Sequence, residues 1–113
     1  MKVTIYHNPR CSTSRKVLAA IEARGHKPEI VEYLKTPPSR AELKSLIKKM
    51  GKTPAEAVRS KEELFQKLKL ANADDEKLLD AMAKHPVLIE RPIVVTDKGA
   101  RLGRPPEAVN EVL

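Results

Sequence analysis

The first third of the chain carries strand, helix and strand signals in that order, and this order is what most constrains the fold. Residues 2–6 alternate apolar and polar side chains and are rich in strand formers, which predicts a first strand. An apolar helical stripe that includes Val17 and Ile21 follows and stops at Gly25, and residues 28–34 predict a second strand. Two strands joined through a helix favour a parallel pair with a crossover connection.

The middle of the chain, from about residue 39 to 85, is predicted to be a helical insert. Ser39 and Glu42 form a capping-box pattern that opens its first helix. A later helix is expected over about 62–70, with Leu68 among its inward-facing residues. No repeat or flexible linker interrupts this region.

The final third returns to strand signals. Residues 92–95 are a short apolar run, residues 97–99 are typical of a hairpin turn, and residues 100–102 can pair back across it. A last short helix is expected over about 105–112. The order βαβ, helical insert and ββα predicts an α/β fold with a mixed four-stranded sheet, as a single domain over residues 1–113.

The composition excludes several classes of protein. Hydrophobic residues make up 41% of the chain and charged residues 33%, a balance typical of an ordered globular domain. No apolar run approaches the roughly 20 residues that cross a bilayer, and the first residues lack a secretory signal. We therefore expect a cytoplasmic protein that does not bind membranes. The net charge of +7 favours an anionic partner, but two Tyr, one Phe, no Trp and scattered cations argue against nucleic acid.

The single cysteine, Cys11, is the candidate reactive group. One cysteine excludes an internal disulfide and a zinc site built on several cysteines, and we expect no metal site and no bound cofactor. Cys11 lies between the first strand and the first helix, where unpaired backbone N–H groups stabilise a thiolate. Arg10 and Arg15 flank it, His7 precedes it on the predicted loop, and Ser14 can offer a hydroxyl group. These neighbours predict a nucleophile beside a nest for an oxyanion.

Four separated segments of the chain resemble the ArsC family of glutaredoxin-coupled arsenate reductases. They occur in the family's order and together extend over essentially the whole chain. The segments are residues 6–15 (YHNPRCSTSR), 33–40 (YLKTPPSR), 85–95 (HPVLIERPIVV) and 101–107 (RLGRPPE). The resemblance implies a thioredoxin-like fold with an inserted helical subdomain. It also implies that Pro92 supports the site through a cis bond to the preceding arginine and faces the active cysteine.

The resemblance implies a set of site residues as well. Arg59, Arg91 and Arg104 would bind the oxyanion, for which the planar guanidinium fork is well suited. Cys11 would be the nucleophile, with arsenate or a related oxyanion as substrate. His7 is the second candidate catalytic residue on its position alone, since it could donate to the sulfur or stabilise its charge. Because the chain has no second cysteine, another thiol must come from outside. The resemblance names glutathione as this external reductant and glutaredoxin as the protein partner that clears the mixed disulfide.

Two other functions remain open on the residues alone. Residues 11–14 have the C-x-x-S form of a monothiol glutathione-dependent oxidoreductase. The same fold family includes Spx-type regulators, which bind RNA polymerase and sense redox state through a C-x-x-C pair. Ser14 stands at the second position of that pair, which excludes an intramolecular disulfide switch but does not exclude polymerase binding.

Overall fold

Four strands form one mixed sheet, with the order β2-β1-β3-β4, in the computed structural model, which describes residues 1–113. Strands β1 (Thr4–His7) and β2 (Glu29–Glu32) are parallel and are joined through helix α1 (Ser12–Ala23). Strand β3 (Ile93–Thr96) runs antiparallel to β1 and to β4 (Gly99–Leu102). The predicted α/β fold, its parallel first pair and its final hairpin are therefore confirmed.

The other helical segments lie between β2 and β3 and after β4. They are α2 (Arg40–Lys49), α3 (Pro54–Ala57), α4 (Glu63–Lys67), α5 (Asp75–Lys84) and two 3₁₀ segments, Pro86–Leu88 and Pro106–Val112. The contacts divide the chain into two compact units, residues 1–36 together with 91–113, and residues 37–90. The helical insert predicted at about 39–85 falls within the second unit, and the single-domain assignment stays a prediction.

The first unit has a core of aliphatic side chains contributed by β1, β3, α1 and the last 3₁₀ segment. Its fully or almost fully buried members are Val3, Ile5, Val17, Ile21, Val94, Val109 and Val112. Helix α1 ends as predicted: Gly25 has a φ of 84°, and its N–H donates to the Glu22 carbonyl at 2.9 Å. This packing fixes the direction of α1, and therefore the place of its N-terminus at the end of β1.

The second unit is built on the buried faces of α2 and α5. The capping box is confirmed, because the Glu42 N–H donates to Ser39 Oγ at 3.1 Å. The inward position predicted for Leu68 is wrong, since this side chain is 36% exposed. Helix α4 is only five residues long, and the chain turns at Lys69, which has a φ of 55° and directs Leu70 into the core instead.

None of the helices has both the length and the apolarity that crossing a membrane requires.

Candidate active site

Cys11 is the N-cap residue of α1. Its backbone is extended, with φ −90° and ψ 122°, and helical geometry begins at the next residue. The Cys11 N–H donates to the Asn8 carbonyl at 3.0 Å, while its own carbonyl accepts from the Arg15 N–H at 3.1 Å. The cysteine itself is therefore the cap, which places the sulfur at the positive end of the helix.

The Cys11 thiol is acidic for a cysteine. Burial raises its pKa and is the largest single influence, but hydrogen bonds from the Ser14 backbone, the Arg91 guanidinium and the Ser14 hydroxyl, together with the charge of Arg91, outweigh it. The pKa is lowered from 9.0 to about 7, so a large fraction of the sulfur is thiolate near neutral pH. Arg10 and Arg15, which flank the cysteine in sequence, are not among the groups that most lower this pKa.

Two arginines from distant parts of the first unit meet beside the sulfur. The Nη2 atom of Arg104 lies 3.6 Å from Cys11 Sγ, and the Nε of Arg104 donates to the backbone carbonyl of Arg91 at 2.8 Å. The Arg91–Pro92 bond is cis, as predicted, and Arg104–Pro105 is also cis, which the sequence did not predict. Arg91 forms no ion pair with a carboxylate, and its buried Nε has no hydrogen-bond partner. A guanidinium without a carboxylate partner suits an incoming anion.

Ser14 holds the loop that carries the cysteine. Its side chain is fully buried, and its Oγ accepts a hydrogen bond from the Asn8 N–H at 3.4 Å. Arg15 supports the same loop, because its Nη1 donates to the Pro9 carbonyl at 2.8 Å. The sequence missed the part played by Asn8, whose Oδ1 also accepts from the Arg10 N–H at 3.0 Å. The Asn-Pro pair was the available signal, since asparagine before proline favours a turn of this kind.

His7 is the last residue of β1, and its predicted place on the loop is wrong. Alternation along the strand turns its side chain to the same buried face as Ile5, so that only 6% of it is exposed. Burial lowers the pKa of His7 and is the largest influence, while Glu32 raises it and Arg15 lowers it further. The buried Nδ1 has no hydrogen-bond partner, and no hydrogen bond joins His7 to the sulfur.

Arg59 belongs to the second unit, where two carboxylates surround it. Its Nη1 lies 3.4 Å from Glu90 Oε1, and its Nε lies 3.4 Å from Glu62 Oε2. The sequence identified Arg59 from the family resemblance but did not identify these partners. The i, i+3 spacing of Arg59 and Glu62 was a usable signal, whereas Glu90 is 31 positions away.

The His, Cys, Asp and Glu side chains form no group of three that could hold a metal ion.

The sequence of the chain matches the model of a known protein family. The match is to the ArsC family and extends over residues 6–112. The chain belongs to the ArsC family.

Several relatives of this ArsC-family chain are named arsenate reductase. That of Rhizobium meliloti (strain 1021) is 53% identical over 115 residues, which cover all of this chain and 82% of the relative. The uncharacterized protein YfgD of Escherichia coli (strain K12) is 48% identical, and the match covers 99% of this chain and 97% of YfgD. The solved structure of an arsenate reductase from Vibrio cholerae is 50% identical, with a TM-score of 0.95 over 100% of this chain and 98% of that one.

The ArsC-family site of the first unit combines two chemical capacities. The sulfur of Cys11 is a nucleophile that is partly ionised near neutral pH. The guanidinium groups of Arg91 and Arg104 lie beside it and supply several N–H donors with a fixed positive charge. Such a site can draw an anion toward a thiolate that would otherwise repel it.

Proposed function

We propose that this ArsC-family protein reduces arsenate to arsenite through Cys11. The observation that carries the proposal is the acidic sulfur, with a pKa of about 7, in contact with the guanidinium groups of Arg91 and Arg104. The arsenate reductases named above support it, because they match this chain over nearly its whole length.

In the first step, arsenate binds to the arginines and the thiolate attacks arsenic. Arg91 and Arg104 hold the oxyanion by charge-assisted hydrogen bonds, and the family resemblance adds Arg59 as a third ligand. The thiol of Cys11 and the dihydrogen arsenate monoanion form a sulfur–arsenic bond and release one water, which leaves a thioester of arsenate with a single negative charge. Arsenic remains in the pentavalent state at this point, so that no electrons have yet been transferred.

In the second step, an external thiol completes the reduction. Glutathione attacks the Cys11 sulfur and the sulfur–arsenic bond breaks. The electron pair of that bond leaves with arsenic, which takes up the thiol proton and departs as the dihydrogen arsenite monoanion. The two thiols have then supplied two electrons and form a mixed disulfide, which glutaredoxin reduces to regenerate Cys11. Glutathione enters as a co-substrate rather than a bound cofactor, and this chemistry belongs to the reducing cytoplasm.

The remaining predicted site residues serve the cysteine loop. Ser14 stabilises the thiolate and, with Arg15, holds the loop in place through the hydrogen bonds described above. Pro92 directly follows Arg91, whose guanidinium hydrogen-bonds to the sulfur. A catalytic role for His7 stays a prediction from its position in the sequence, and His7 forms no hydrogen bond with the sulfur.

The decisive experiment is an arsenate reduction assay with glutathione and glutaredoxin each present or absent. We expect arsenate turnover only when both glutathione and glutaredoxin are present. The Cys11→Ser variant should show no turnover. Ser12→Ala, which changes the exposed neighbour of the cysteine, is the control and should keep its activity. Arsenate turnover by the Cys11→Ser variant would refute the mechanism. Turnover of a glutathionylated peptide without any need for the three arginines would instead favour a monothiol oxidoreductase. Recovery of the polymerase α subunit in a pull-down, with no arsenate turnover, would favour a regulator.

A further inference from the structure

The nucleophile and two guanidinium groups of the active site all lie in the first unit, residues 1–36 and 91–113. Arg104 Nη2 lies 3.6 Å from Cys11 Sγ, and Arg91 hydrogen-bonds to the same sulfur. Arg91 forms no ion pair with a carboxylate, and its buried Nε has no hydrogen-bond partner. A nucleophilic sulfur and two cations therefore meet at one point, and Arg91 keeps a donor for an anion.

The chain segments that form this site carry no carboxylate. Residues 1–21, 91–96 and 98–106 contain neither Asp nor Glu. None of the groups that mainly set the pKa of Cys11 is a carboxylate either. The N-terminus of α1 adds its partial positive charge at the sulfur. A doubly charged anion can therefore approach this site, because fixed positive charge offsets its repulsion from the thiolate.

The single thiol favours a reaction that needs only one cysteine. Ser14 stands where a C-x-x-C pair has its second cysteine, its side chain is fully buried, and its hydroxyl hydrogen-bonds to the Cys11 sulfur. A thiol at this position would attack a persulfide on Cys11, expel hydrogen sulfide and close a disulfide. A hydroxyl group cannot do so. A persulfide formed on Cys11 therefore meets no other thiol of this chain that would destroy it.

We propose that this site also transfers sulfur from thiosulfate to a small thiol. Thiosulfate is a tetrahedral dianion whose central sulfur carries three oxygens and one outer sulfur. Arg91 and Arg104 hold the oxygens by charge-assisted hydrogen bonds, and the outer sulfur meets the thiolate of Cys11. The inference shares the thiolate and the two arginines with the proposed function, but it needs neither the chemistry of arsenic nor any residue of the second unit.

The transfer takes place in two displacements. In the first, the Cys11 thiolate attacks the outer sulfur, a new sulfur–sulfur bond forms, and the bond to the central sulfur breaks with its electron pair. Sulfite leaves as a dianion and Cys11 becomes a persulfide anion, so the cysteine sulfur is oxidised to the disulfide level and the central sulfur of thiosulfate is reduced. Arg91 and Arg104 stabilise the charge that develops on the departing sulfite. In the second, the thiolate of the acceptor attacks the terminal sulfur, leaves as a persulfide and restores the Cys11 thiolate.

The test is the formation of thiocyanate from thiosulfate, with cyanide as the acceptor in place of the thiol. We expect turnover by the wild type, whereas Cys11→Ser should give no thiocyanate above the rate without protein. Arg91→Lys and Arg104→Lys should each lower kcat/KM for thiosulfate about tenfold or more. The exposed Arg24→Lys is the control and should match the wild type. No turnover by the wild type, or an unchanged kcat/KM in both arginine variants, would overturn the proposal.

A neutral probe separates the binding of the anion from the ionisation of the thiol. Lysine in place of either arginine also changes the thiolate fraction, and the rate of alkylation by iodoacetamide reports on that fraction. The loss in kcat/KM for thiosulfate should exceed the loss in alkylation rate at the same pH by about threefold or more. Equal losses would refute the binding of thiosulfate by the arginines.

A mass measurement makes the outcome independent of the proposed function. After incubation with thiosulfate alone, Cys11 should gain the mass of one sulfur atom, and cyanide or glutathione should then remove it. Arsenate and inorganic phosphate should slow this loading, because they occupy the same arginines; loading at an unchanged rate would refute the shared site. An unmodified cysteine would overturn the sulfur transfer even if arsenate is reduced. If no arsenate is reduced but Cys11 is loaded, the proposed function fails and the sulfur transfer is supported.

Discussion

The Nη2 atom of Arg104 lies 3.6 Å from the Sγ atom of Cys11, although 93 positions separate the two residues in the sequence. The same guanidinium donates through Nε to the backbone carbonyl of Arg91 at 2.8 Å. One planar group thus contacts the nucleophile and at the same time anchors the segment that carries the second arginine. A point charge at this place would not have the same effect, because the two contacts require donors in a fixed relative orientation.

We expect Arg104→Lys to impair arsenate reduction strongly while preserving the charge. Lysine cannot donate to the Arg91 carbonyl and to the sulfur with the geometry of a guanidinium. The loss of one charge-assisted hydrogen bond costs about 1.5–3 kcal/mol, which corresponds to a decrease of roughly 10- to 160-fold in kcat/KM. Steady-state kinetics measure the effect, with the exposed Arg24→Lys as a control. Equal kcat/KM values for Arg104→Lys and the wild type would show that only the charge matters.

The reactivity of Cys11 should titrate near neutral pH. Because its pKa is about 7 instead of 9.0, the rate of alkylation by iodoacetamide should rise with pH and reach half of its plateau near pH 7. A midpoint above pH 8.5 would contradict the contacts described for Ser14 and Arg91.

The same pKa shift predicts a pH-dependent stability. The folded state favours the thiolate, so its contribution is fully present above the unfolded pKa near 9.0 and is lost as the pH falls through about 7. Two pH units correspond to about 2.7 kcal/mol at most. The difference in unfolding free energy between the wild type and Cys11→Ser should therefore be larger at pH 9 than at pH 6, as measured by urea unfolding. A difference that is independent of pH would exclude this linkage.

Ser14→Ala should make the thiol less acidic without removing it from the helix N-terminus. The variant loses the hydroxyl that hydrogen-bonds to the sulfur but keeps the backbone N–H that also does so. We expect a higher alkylation midpoint, and a loss of about 1 kcal/mol of stability, since the Asn8 N–H loses its acceptor. The exposed Ser12→Ala is the matched control and should change neither quantity. An unaltered midpoint in Ser14→Ala would assign the acidity to Arg91 and the helix alone.

Local signals in the sequence were sufficient for the sheet, for most helices and for the place of the nucleophile. The capping box at Ser39 and the stop at Gly25 are short-range features, and both are found as predicted. The position of Cys11 at a helix start also follows from short-range pattern, although the sequence did not show that the cysteine is itself the cap. The burial of Leu68 was predicted wrongly, because a turn at Lys69 ends α4 early and helical periodicity carries no information about that turn.

The side-chain contacts of the site could not be predicted in the same way. Which group faces the sulfur depends on how β1, β3 and the loop after β4 come together. The sequence pointed to the flanking Arg10 and Arg15, whereas the main groups that lower the pKa of Cys11 are Ser14 and Arg91. The pairing of Arg59 with Glu90 depends on an isolated bridge between segments about 30 positions apart. Local patterns in a single sequence do not predict contacts between residues that are this far apart in the chain.

Gly103→Ala should damage both the stability and the site, because Gly103 packs directly against Pro92. An added Cβ would lie 2.8 Å from Pro92 Cγ and 2.9 Å from Cγ2 of the fully buried Val17, and neither the proline ring nor the core valine can move away easily. Overpacking of this kind costs about 1–3 kcal/mol, which urea unfolding measures. Relief of the clash would displace Pro92 and with it the neighbouring Arg91, so kcat/KM for arsenate should fall as well.

Gly51→Ala is the control for Gly103→Ala: the φ of 69° at Gly51 makes alanine strained there, but nothing lies within 4 Å of the new Cβ. Gly51→Ala should lose about 1 kcal/mol of stability and keep its kcat/KM. Wild-type stability and kinetics in Gly103→Ala would refute the close packing at Pro92.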